Sequence, residues 1–228
     1  MPIYLRVLAR TLLFSVATSL VCLVLGYPVA YALARARPLA RAIILVCILL
    51  PFWTNLLVRT YGWILILNPQ GIVNTVLLQL GIISAPLDIV YNFLGALIGM
   101  SQIMLPYLIL PVYSVMVKLD PQLANAARTL GAGPVRTFVS IYFPLTLPGV
   151  MAGLLLVFTI SLGFFVIPAI LGGSGGLLLA QLIEFNVNTS LNWGMASALS
   201  TTLLAATLLL YMIGDRWLNL GAIWGLRR

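Results

Sequence analysis

Few side chains in this sequence could do catalytic chemistry. Its 228 residues include no histidine, and its four acidic residues are far apart in the chain: Asp88, Asp120, Glu184 and Asp215. Histidine is the commonest proton-transfer side chain and metal ligand, and acid–base catalysis often relies on paired carboxylates. Cys22 and Cys47 both lie in apolar runs, without the spacing of a metal or redox site. We therefore expect neither catalysis nor a bound metal from this chain alone.

The longest polar-rich stretch is residues 119–150, LDPQLANAARTLGAGPVRTFVSIYFPLTLPGV, in a chain that is 62% hydrophobic and 7% charged. Asp120, followed by proline, is typical of a capped helix start, and QLANAARTL favours a helix that ends at Gly131. Gly131 can adopt a left-handed turn without a Cβ clash. A second short helix, PVRTFVSIYF, is predicted from Pro134 to Pro144. Such a helical pair at a membrane surface suits docking to a soluble partner.

The composition indicates a multi-pass membrane protein. Mean hydropathy is +1.14, and several apolar runs approach the roughly 20 residues that a helix needs to cross a bilayer. We predict one all-α membrane domain over residues 1–228, with about five spans near residues 11–33, 42–65, 93–116, 148–170 and 195–213. Glycines four residues apart, Gly95 with Gly99 and Gly149 with Gly153, indicate close helix packing. The apolar stretch IVNTVLLQLGII is too short to span and is predicted to be an interfacial helix.

The basic residues are interpreted as topology signals, because they are spread between the spans and form no nucleic-acid-binding patch. With residues 118–145 in the cytoplasm, nine of the twelve Lys and Arg residues are cytoplasmic: Arg35, Arg37, Arg41, Lys118, Arg128, Arg136, Arg216, Arg227 and Arg228. Only Arg6, Arg10 and Arg59 lie outside or near the outer surface, as the positive-inside rule requires. The amino terminus is then outside. A cleaved signal peptide is an alternative that the long first apolar run and its following arginines oppose.

The spacing within the polar stretch resembles the coupling loop of binding-protein-dependent ABC importer permeases. Between Ala126 and Pro144 the sequence reads Ala-Ala, then three residues, Gly, nine residues and Ile-x-Phe-Pro. The family pattern begins Glu-Ala-Ala and ends Ile-x-Leu-Pro, so Asn125 and Phe143 are departures from it. The resemblance implies a cytoplasmic coupling loop at residues 118–145 that docks on an ATPase subunit; an ordinary amphipathic loop is the alternative. The docking residues it implies are Asn125, Ala126, Ala127, Gly131, Ala132 and Pro144.

Nearly the whole chain, from about Tyr4, resembles the spermidine/putrescine-type subgroup of these permeases. The similar segments are GYPVAYALAR, LPFWTNLLVRTYGW, GIVN and LGAGPVRTF. Members usually have six spans, and this sequence is expected to lack the extra amino-terminal helix. The resemblance implies a bacterial inner-membrane permease with no cofactor of its own, since ATP and Mg would be bound by an ATPase dimer. It also implies a second permease subunit, an extracytoplasmic solute-binding protein and surrounding membrane lipid, without nucleic acid.

Four residues are candidates for the translocation path: Trp53, Asn55, Tyr61 and Glu184. An amide such as that of Asn55 needs a partner or water within a span, although an interfacial belt at the span's end is the alternative. Glu184 is either a gate or substrate contact or a solvated loop charge. Polyamine permeases usually carry an Asp after Ser-Leu-Gly, where this chain has Phe164. The resemblance implies a polyamine or a related organic amine as the solute, and this departure leaves other small organic solutes open.

A self-contained secondary transporter or channel is the competing hypothesis. It predicts ionisable residues within the spans or an inverted internal repeat. The middles of the predicted spans contain no Asp, Glu or Lys, and no segment recurs along the chain. The GGSGG segment is not a phosphate loop, because no Lys-Ser/Thr pair follows it. The sequence therefore favours a permease whose energy comes from another chain.

Overall fold

The computed structural model describes residues 2–120, 122–123, 129, 131–173 and 177–218, with side chains described between residues 3 and 212. All regular structure in these ranges is helical, which confirms the predicted all-α fold. The helices are α1 (Pro2–Arg35), α2 (Pro38–Leu49), α3 (Leu56–Leu67), α4 (Ile72–Gln79), α5 (Phe93–Met116), α6 (Pro134–Gly163), α7 (Val166–Leu171), α8 (Leu179–Asn188) and α9 (Trp193–Leu218).

Four of the described helices are long and apolar enough to cross a membrane. They are Ile3–Arg35, Phe93–Met116, Pro134–Gly163 and Trp193–Met212. A fifth crossing would come from Pro38–Trp53 together with Leu56–Gln79, a pair bent by 104°. By length and composition, four or five candidate spans agree with the predicted multi-pass architecture.

The predicted span over residues 42–65, with Pro51 in its middle, is not a single helix in the structure. After α2 the chain forms a 3-10 turn, Leu50–Trp53, which contains Pro51. Proline has no N–H for a helical hydrogen bond and clashes with the preceding turn, so the α-helix ends there. Asn55 then starts α3 as its N-cap: its side-chain Oδ1 accepts a hydrogen bond from the backbone N–H of Leu57 at 2.8 Å.

The structure also corrects both boundaries of the predicted fourth span, residues 148–170. The helix does not stop at Pro144, because Pro134–Gly163 is one apolar helix with a π-helical turn at Phe138–Tyr142. In that turn the Phe143 N–H donates to the Phe138 carbonyl, and this wider spacing accommodates the missing N–H of Pro144. The helix ends at Gly163, seven residues early, and Pro168 lies in a separate short helix, Val166–Leu171.

The predicted short helix after the second span is present as α4, and its Asn74 is fully buried. The Asn74 Oδ1 accepts a hydrogen bond from the Leu87 N–H at 2.7 Å, and its Nδ2 donates to the carbonyls of Leu87 and Asn68, both at 3.0 Å. One amide therefore fastens the loop after α4 to the loop before it. The oxygen and both N–H groups of the Asn74 amide therefore have hydrogen-bond partners, without which burying the amide would be costly.

The chain divides into two compact units. Unit 1 comprises Met1–Thr18, Thr54–Gln102 and Thr159–Arg228. Within it, Val7, Leu179 and Leu199 form a buried cluster, and the Thr11 hydroxyl accepts a hydrogen bond from the Leu179 N–H at 2.9 Å. Gly99 packs directly against Leu171 of α7: a Cβ added at Gly99 would be 2.6 Å from the Leu171 Cδ1. A small residue is therefore needed at this position, as the predicted glycine spacing indicates.

Unit 2 comprises Ser19–Trp53 and Ile103–Phe158. Here α6 packs closely against α5 through the predicted glycine pair. A Cβ at Gly149 would be 2.9 Å from the Pro111 carbonyl oxygen, and a Cβ at Gly153 would be 3.1 Å from the Leu108 Cα. Only glycine lets the two backbones approach this closely, so the prediction of helix packing at this pair is confirmed.

Candidate functional site

The candidate coupling segment, residues 118–145, begins with the predicted cap. The Asp120 Oδ1 accepts a hydrogen bond from the Gln122 N–H at 2.8 Å, which is the usual arrangement at a helix start. Three predicted docking residues, Asn125, Ala126 and Ala127, lie outside the described residues.

The second half of the segment starts with a change of chain direction at Gly131. Its φ of +83° is in the left-handed region, so the predicted glycine turn is confirmed. Ala132 is half-buried, and Gly133 is the N-cap residue from which α6 begins at Pro134. Pro144, the last predicted docking residue, is exposed at the start of the Phe143–Gly163 part of α6.

Five aromatic rings join this second half to α1, and we call them the ring cluster. They are Tyr27, Tyr31, Phe138, Tyr142 and Phe143. Neighbouring ring centroids are between 5.3 and 6.1 Å apart, mostly in edge-to-face arrangements. Aromatic pairs of this kind contribute about 0.5–1.5 kcal/mol each beyond their burial. The cluster therefore fixes the base of the coupling segment to the end of α1.

Polar contacts at both ends of the ring cluster strengthen the attachment. The Arg35 guanidinium lies 4.1 Å from the centroid of the Tyr31 ring and 5.5 Å from that of Tyr142, within the range of cation–π attraction. At the other end, the Tyr27 hydroxyl lies 3.1 Å from the hydroxyl of the buried Thr146. The contacts of Arg35 and Thr146 thus fix the position of α1 relative to the start of α6.

The π-helical turn Phe138–Tyr142 carries two rings of the cluster. Single π-helical turns within α-helices are frequent at functional sites, because they reorient side chains without ending the helix. Here the turn brings Phe138 and Tyr142 nearly parallel, with an angle of 21° between their ring planes. Both rings then face Tyr31, so the turn positions the cluster.

The four translocation-path candidates occupy different kinds of position. Trp53 is 91% exposed at the end of the 3-10 turn, and Tyr61 is 58% exposed on α3. Asn55 is exposed and caps α3, so its amide has a structural use that the sequence did not reveal. Glu184 is half-buried on α8 and accepts a hydrogen bond from the Asn188 side chain at 3.2 Å. Their place on a translocation path stays a prediction.

Sequence reasoning missed the α1 side of the ring cluster, although a signal for it exists. Tyr27, Tyr31 and Arg35 are spaced four residues apart, which puts them on one face of a helix. Phe138 and Tyr142 have the same spacing. Each stripe alone resembles ordinary helix packing, and only the structure brings the two together.

The comparisons with known proteins agree with this fold. A family model described as "Binding-protein-dependent transport system inner membrane component" matches residues 5–220. The spermidine/putrescine transport system permease protein PotB of Haemophilus influenzae is 39% identical over 96% of this chain and 77% of its own length. PotB of Escherichia coli is also 39% identical, over 96% of this chain and 80% of the relative.

A more distant relative and a solved structure extend the likeness. The inner membrane ABC transporter permease protein YdcU of Escherichia coli is 31% identical over 74% of this chain and 58% of its own length. One chain of a crystal structure of an amino acid ABC transporter superimposes with a TM-score of 0.61, covering 95% of this chain and 92% of that one. Sequence identity there is 14%, so this second likeness concerns the fold alone.

Proposed function

Because the chain belongs to the family of binding-protein-dependent transport system inner membrane components, we propose that it is one permease subunit of an ATP-driven importer. The protein is a multi-pass component of the inner membrane, as its family and its apolar helices indicate. We propose a single permease domain whose coupling segment, residues 118–145, faces the cytoplasm. ATP and Mg would be bound by a separate dimer of ATPase subunits.

The ring cluster is the observation that carries this proposal. A segment that transmits a conformational change from an ATPase must be attached rigidly to the membrane spans that move. Residues 134–145 are the first part of α6, and they are fixed to α1 through aromatic contacts and the Tyr27–Thr146 hydrogen bond. A displacement of the segment would therefore move two candidate spans together, as alternating access requires.

The docking surface would comprise Asn125, Ala126, Ala127, Gly131, Ala132 and Pro144. Small side chains let a helix approach a partner closely, and the left-handed turn at Gly131 sets the direction of the chain between the two halves of the segment. The assembly would also include a second permease subunit and an extracytoplasmic solute-binding protein.

Co-purification tests the docking proposal. The tagged chain is extracted from native membranes with a mild detergent, and its partners are identified by mass spectrometry. We expect an ATPase subunit that is lost when Ala127→Glu or Gly131→Asp is introduced, with membrane insertion unchanged. Gly81→Asp, at another glycine with positive φ and open space around it but outside residues 118–145, is the matched charge control. A chain that emerges alone, and that gives ATP-independent flux in liposomes, would favour a self-contained transporter.

We propose a polyamine or a related organic amine as the solute. The support is the 39% identity to two permeases named for spermidine and putrescine transport. An ammonium group is attracted by carboxylates and aromatic faces, and Trp53, Tyr61 and Glu184 offer both. Phe164 stands where polyamine permeases usually have an acidic residue, so the partner permease would supply further carboxylates.

Uptake measurements test the solute. Proteoliposomes containing the co-purified complex, its solute-binding protein and internal ATP are given radiolabelled spermidine. We expect uptake that unlabelled putrescine inhibits and that glutamine does not. An importer that hydrolyses ATP with its binding protein but takes up no amine would refute the solute and leave the permease assignment intact.

A further inference from the structure

Ser161 carries a hydroxyl group that its own helix does not satisfy. The residue is fully buried near the end of α6, and among the described residues its Oγ has no hydrogen-bond partner. Serine and threonine within a helix can donate to the carbonyl four residues earlier, as Thr11, Ser15 and Thr18 do on α1 at 2.9 to 3.0 Å. A buried hydroxyl without a partner is costly, so Ser161 calls for a physical explanation.

The neighbouring helix shows how deep Ser161 lies in the membrane. α5 and α6 run antiparallel, with Gly153 of α6 against Leu108 of α5. Ser101 lies seven residues before Leu108. Ser161 lies eight residues after Gly153, so the two serines are at about the same level, two helical turns from that contact. Ser101 is also buried, and it lies about 12 Å inside the candidate span that begins at Phe93. Ser161 is therefore inside the membrane and not at its surface.

The helix breaks at this depth. α6 ends at Gly163, two residues after Ser161, and α7 begins at Val166. The last four carbonyl groups of a helix have no N–H partner within it, and they form the negative end of the helix dipole. Of these, the Ser161 carbonyl accepts a long hydrogen bond from the Phe164 N–H at 3.4 Å. A helix that ends at membrane depth, with a buried hydroxyl in its last turn, is suited to a positively charged hydrogen-bond donor.

We propose that Ser161 and the end of α6 bind an ammonium group of the solute, in a conformation of the transport cycle that differs from the present one. In the present conformation the Ser161 side chain is fully covered, so a solute reaches it only after α6 moves. The hydroxyl oxygen then accepts a hydrogen bond from the ammonium. Because the cost of the unpaired hydroxyl is removed in that conformation, solute binding favours it. This inference rests on the proposed importer function and adds a contact site to it.

Replacing Ser161 by alanine tests the contact. Ser161→Ala removes the unpaired hydroxyl, so we expect a higher thermal unfolding midpoint of the purified complex without nucleotide. The same variant loses a hydrogen bond to a charged group, so the KM of spermidine uptake into proteoliposomes should rise about tenfold. Ser15→Ala is the matched control, because that serine is equally buried but its hydroxyl donates to the Thr11 carbonyl at 3.0 Å. We expect the control to have a lower unfolding midpoint and an unchanged KM.

Cysteine labelling tests whether the position is uncovered during transport. In a chain whose Cys22 and Cys47 are replaced by alanine, Ser161→Cys is treated with a water-soluble methanethiosulfonate reagent. We expect slow labelling of the complex without nucleotide, and much faster labelling while the complex hydrolyses ATP with its solute-binding protein. Ser15→Cys is the control and should be labelled slowly in both conditions.

Three results would overturn the proposal. The first is a lower unfolding midpoint for Ser161→Ala, as expected for Ser15→Ala, because the hydroxyl would then have a partner such as water. The second is an unchanged KM in Ser161→Ala. The third is labelling of Ser161→Cys at the same rate with and without ATP hydrolysis. None of these results affects the importer assignment, which depends on the ATPase subunit that co-purifies. An importer that takes up no amine would instead refute the proposed solute, and the ammonium contact with it.

Discussion

The hydroxyl oxygens of Tyr27 and Thr146 lie 3.1 Å apart, although 119 positions separate the two residues in the sequence. The Thr146 hydroxyl donates its proton to the Phe143 carbonyl at 2.8 Å, so Tyr27 is the donor in the contact between them. This hydrogen bond connects α1 to α6 directly beyond the coupling segment. It is therefore a place where the attachment of the segment can be weakened without altering the docking surface.

Tyr27→Phe is expected to weaken coupling while the complex stays folded. The variant keeps the ring contacts with Phe138 and Phe143 and loses one hydrogen bond, worth about 0.5–1.5 kcal/mol. We expect a small decrease in thermal unfolding midpoint and fewer solute molecules transported per ATP hydrolysed, measured in proteoliposomes. Tyr4→Phe, on the same helix, is the control. Equal transport ratios in the two variants would contradict a mechanical role for this hydrogen bond.

Gly131→Ala is expected to strain the coupling segment, whereas Gly133→Ala is not. An added Cβ meets nothing within 4 Å at either position, so the two differ in backbone conformation: φ is +83° at Gly131 and −65° at Gly133. The left-handed conformation costs an alanine about 1–2 kcal/mol. We expect less ATPase subunit to co-purify with the Gly131 variant alone. Equal losses would indicate that both glycines contact the partner directly.

The turn at Gly131 and the cap at Asp120 were predictable because each depends on local backbone chemistry. The continuity of α6 was not, because Pro144 and Pro148 are usual signals for a helix end. The π-helical turn that accommodates Pro144 carries Phe138 and Tyr142, and both rings contact Tyr31, more than 100 positions earlier. The four-residue spacing of these rings marks one face of each helix, but it does not indicate which two faces meet.

The role of Asn55 depends on where the helix breaks near Pro51. Within a continuous span its amide would need a polar partner, and a translocation path was a reasonable prediction. The chain instead breaks after Pro51, which leaves Asn55 as the first residue before α3. The place of a side chain on a helix cannot be inferred before the ends of that helix are known.

Substitutions at Asn55 distinguish a cap from a path residue. Serine caps helices about as well as asparagine, whereas alanine does not and costs about 0.5–2 kcal/mol. If Asn55 acts as a cap, Asn55→Ser should preserve thermal stability and transport, and Asn55→Ala should lower both. If the amide contacts solute, the serine variant should keep its stability and lose uptake affinity. Thermal unfolding and the uptake KM separate the two outcomes.

Asn74→Asp is expected to loosen the loop between α4 and α5. A carboxylate still accepts the hydrogen bond from the Leu87 N–H, but it cannot donate to the carbonyls of Leu87 and Asn68. Leaving buried polar groups unsatisfied costs about 1–3 kcal/mol each. We expect faster proteolysis of residues 80–92 in the purified complex, measured by peptide mapping. Asn192→Asp, at an exposed residue whose side-chain oxygen accepts a hydrogen bond from the Met195 N–H, is the control, and equal cleavage rates would count against a fastening role.

Gly149→Ala should destabilise the protein, whereas Gly62→Ala should not. A Cβ at Gly149 would lie 2.9 Å from the Pro111 carbonyl oxygen, a backbone atom of α5 that cannot move aside cheaply, whereas a Cβ at Gly62 meets nothing within 4 Å. Overpacking should cost the first variant about 1–3 kcal/mol. The second should be neutral or stabilised by up to about 1 kcal/mol, the difference in helix propensity. Thermal unfolding in one detergent measures both, and similar shifts would show that α5 and α6 can separate at little cost.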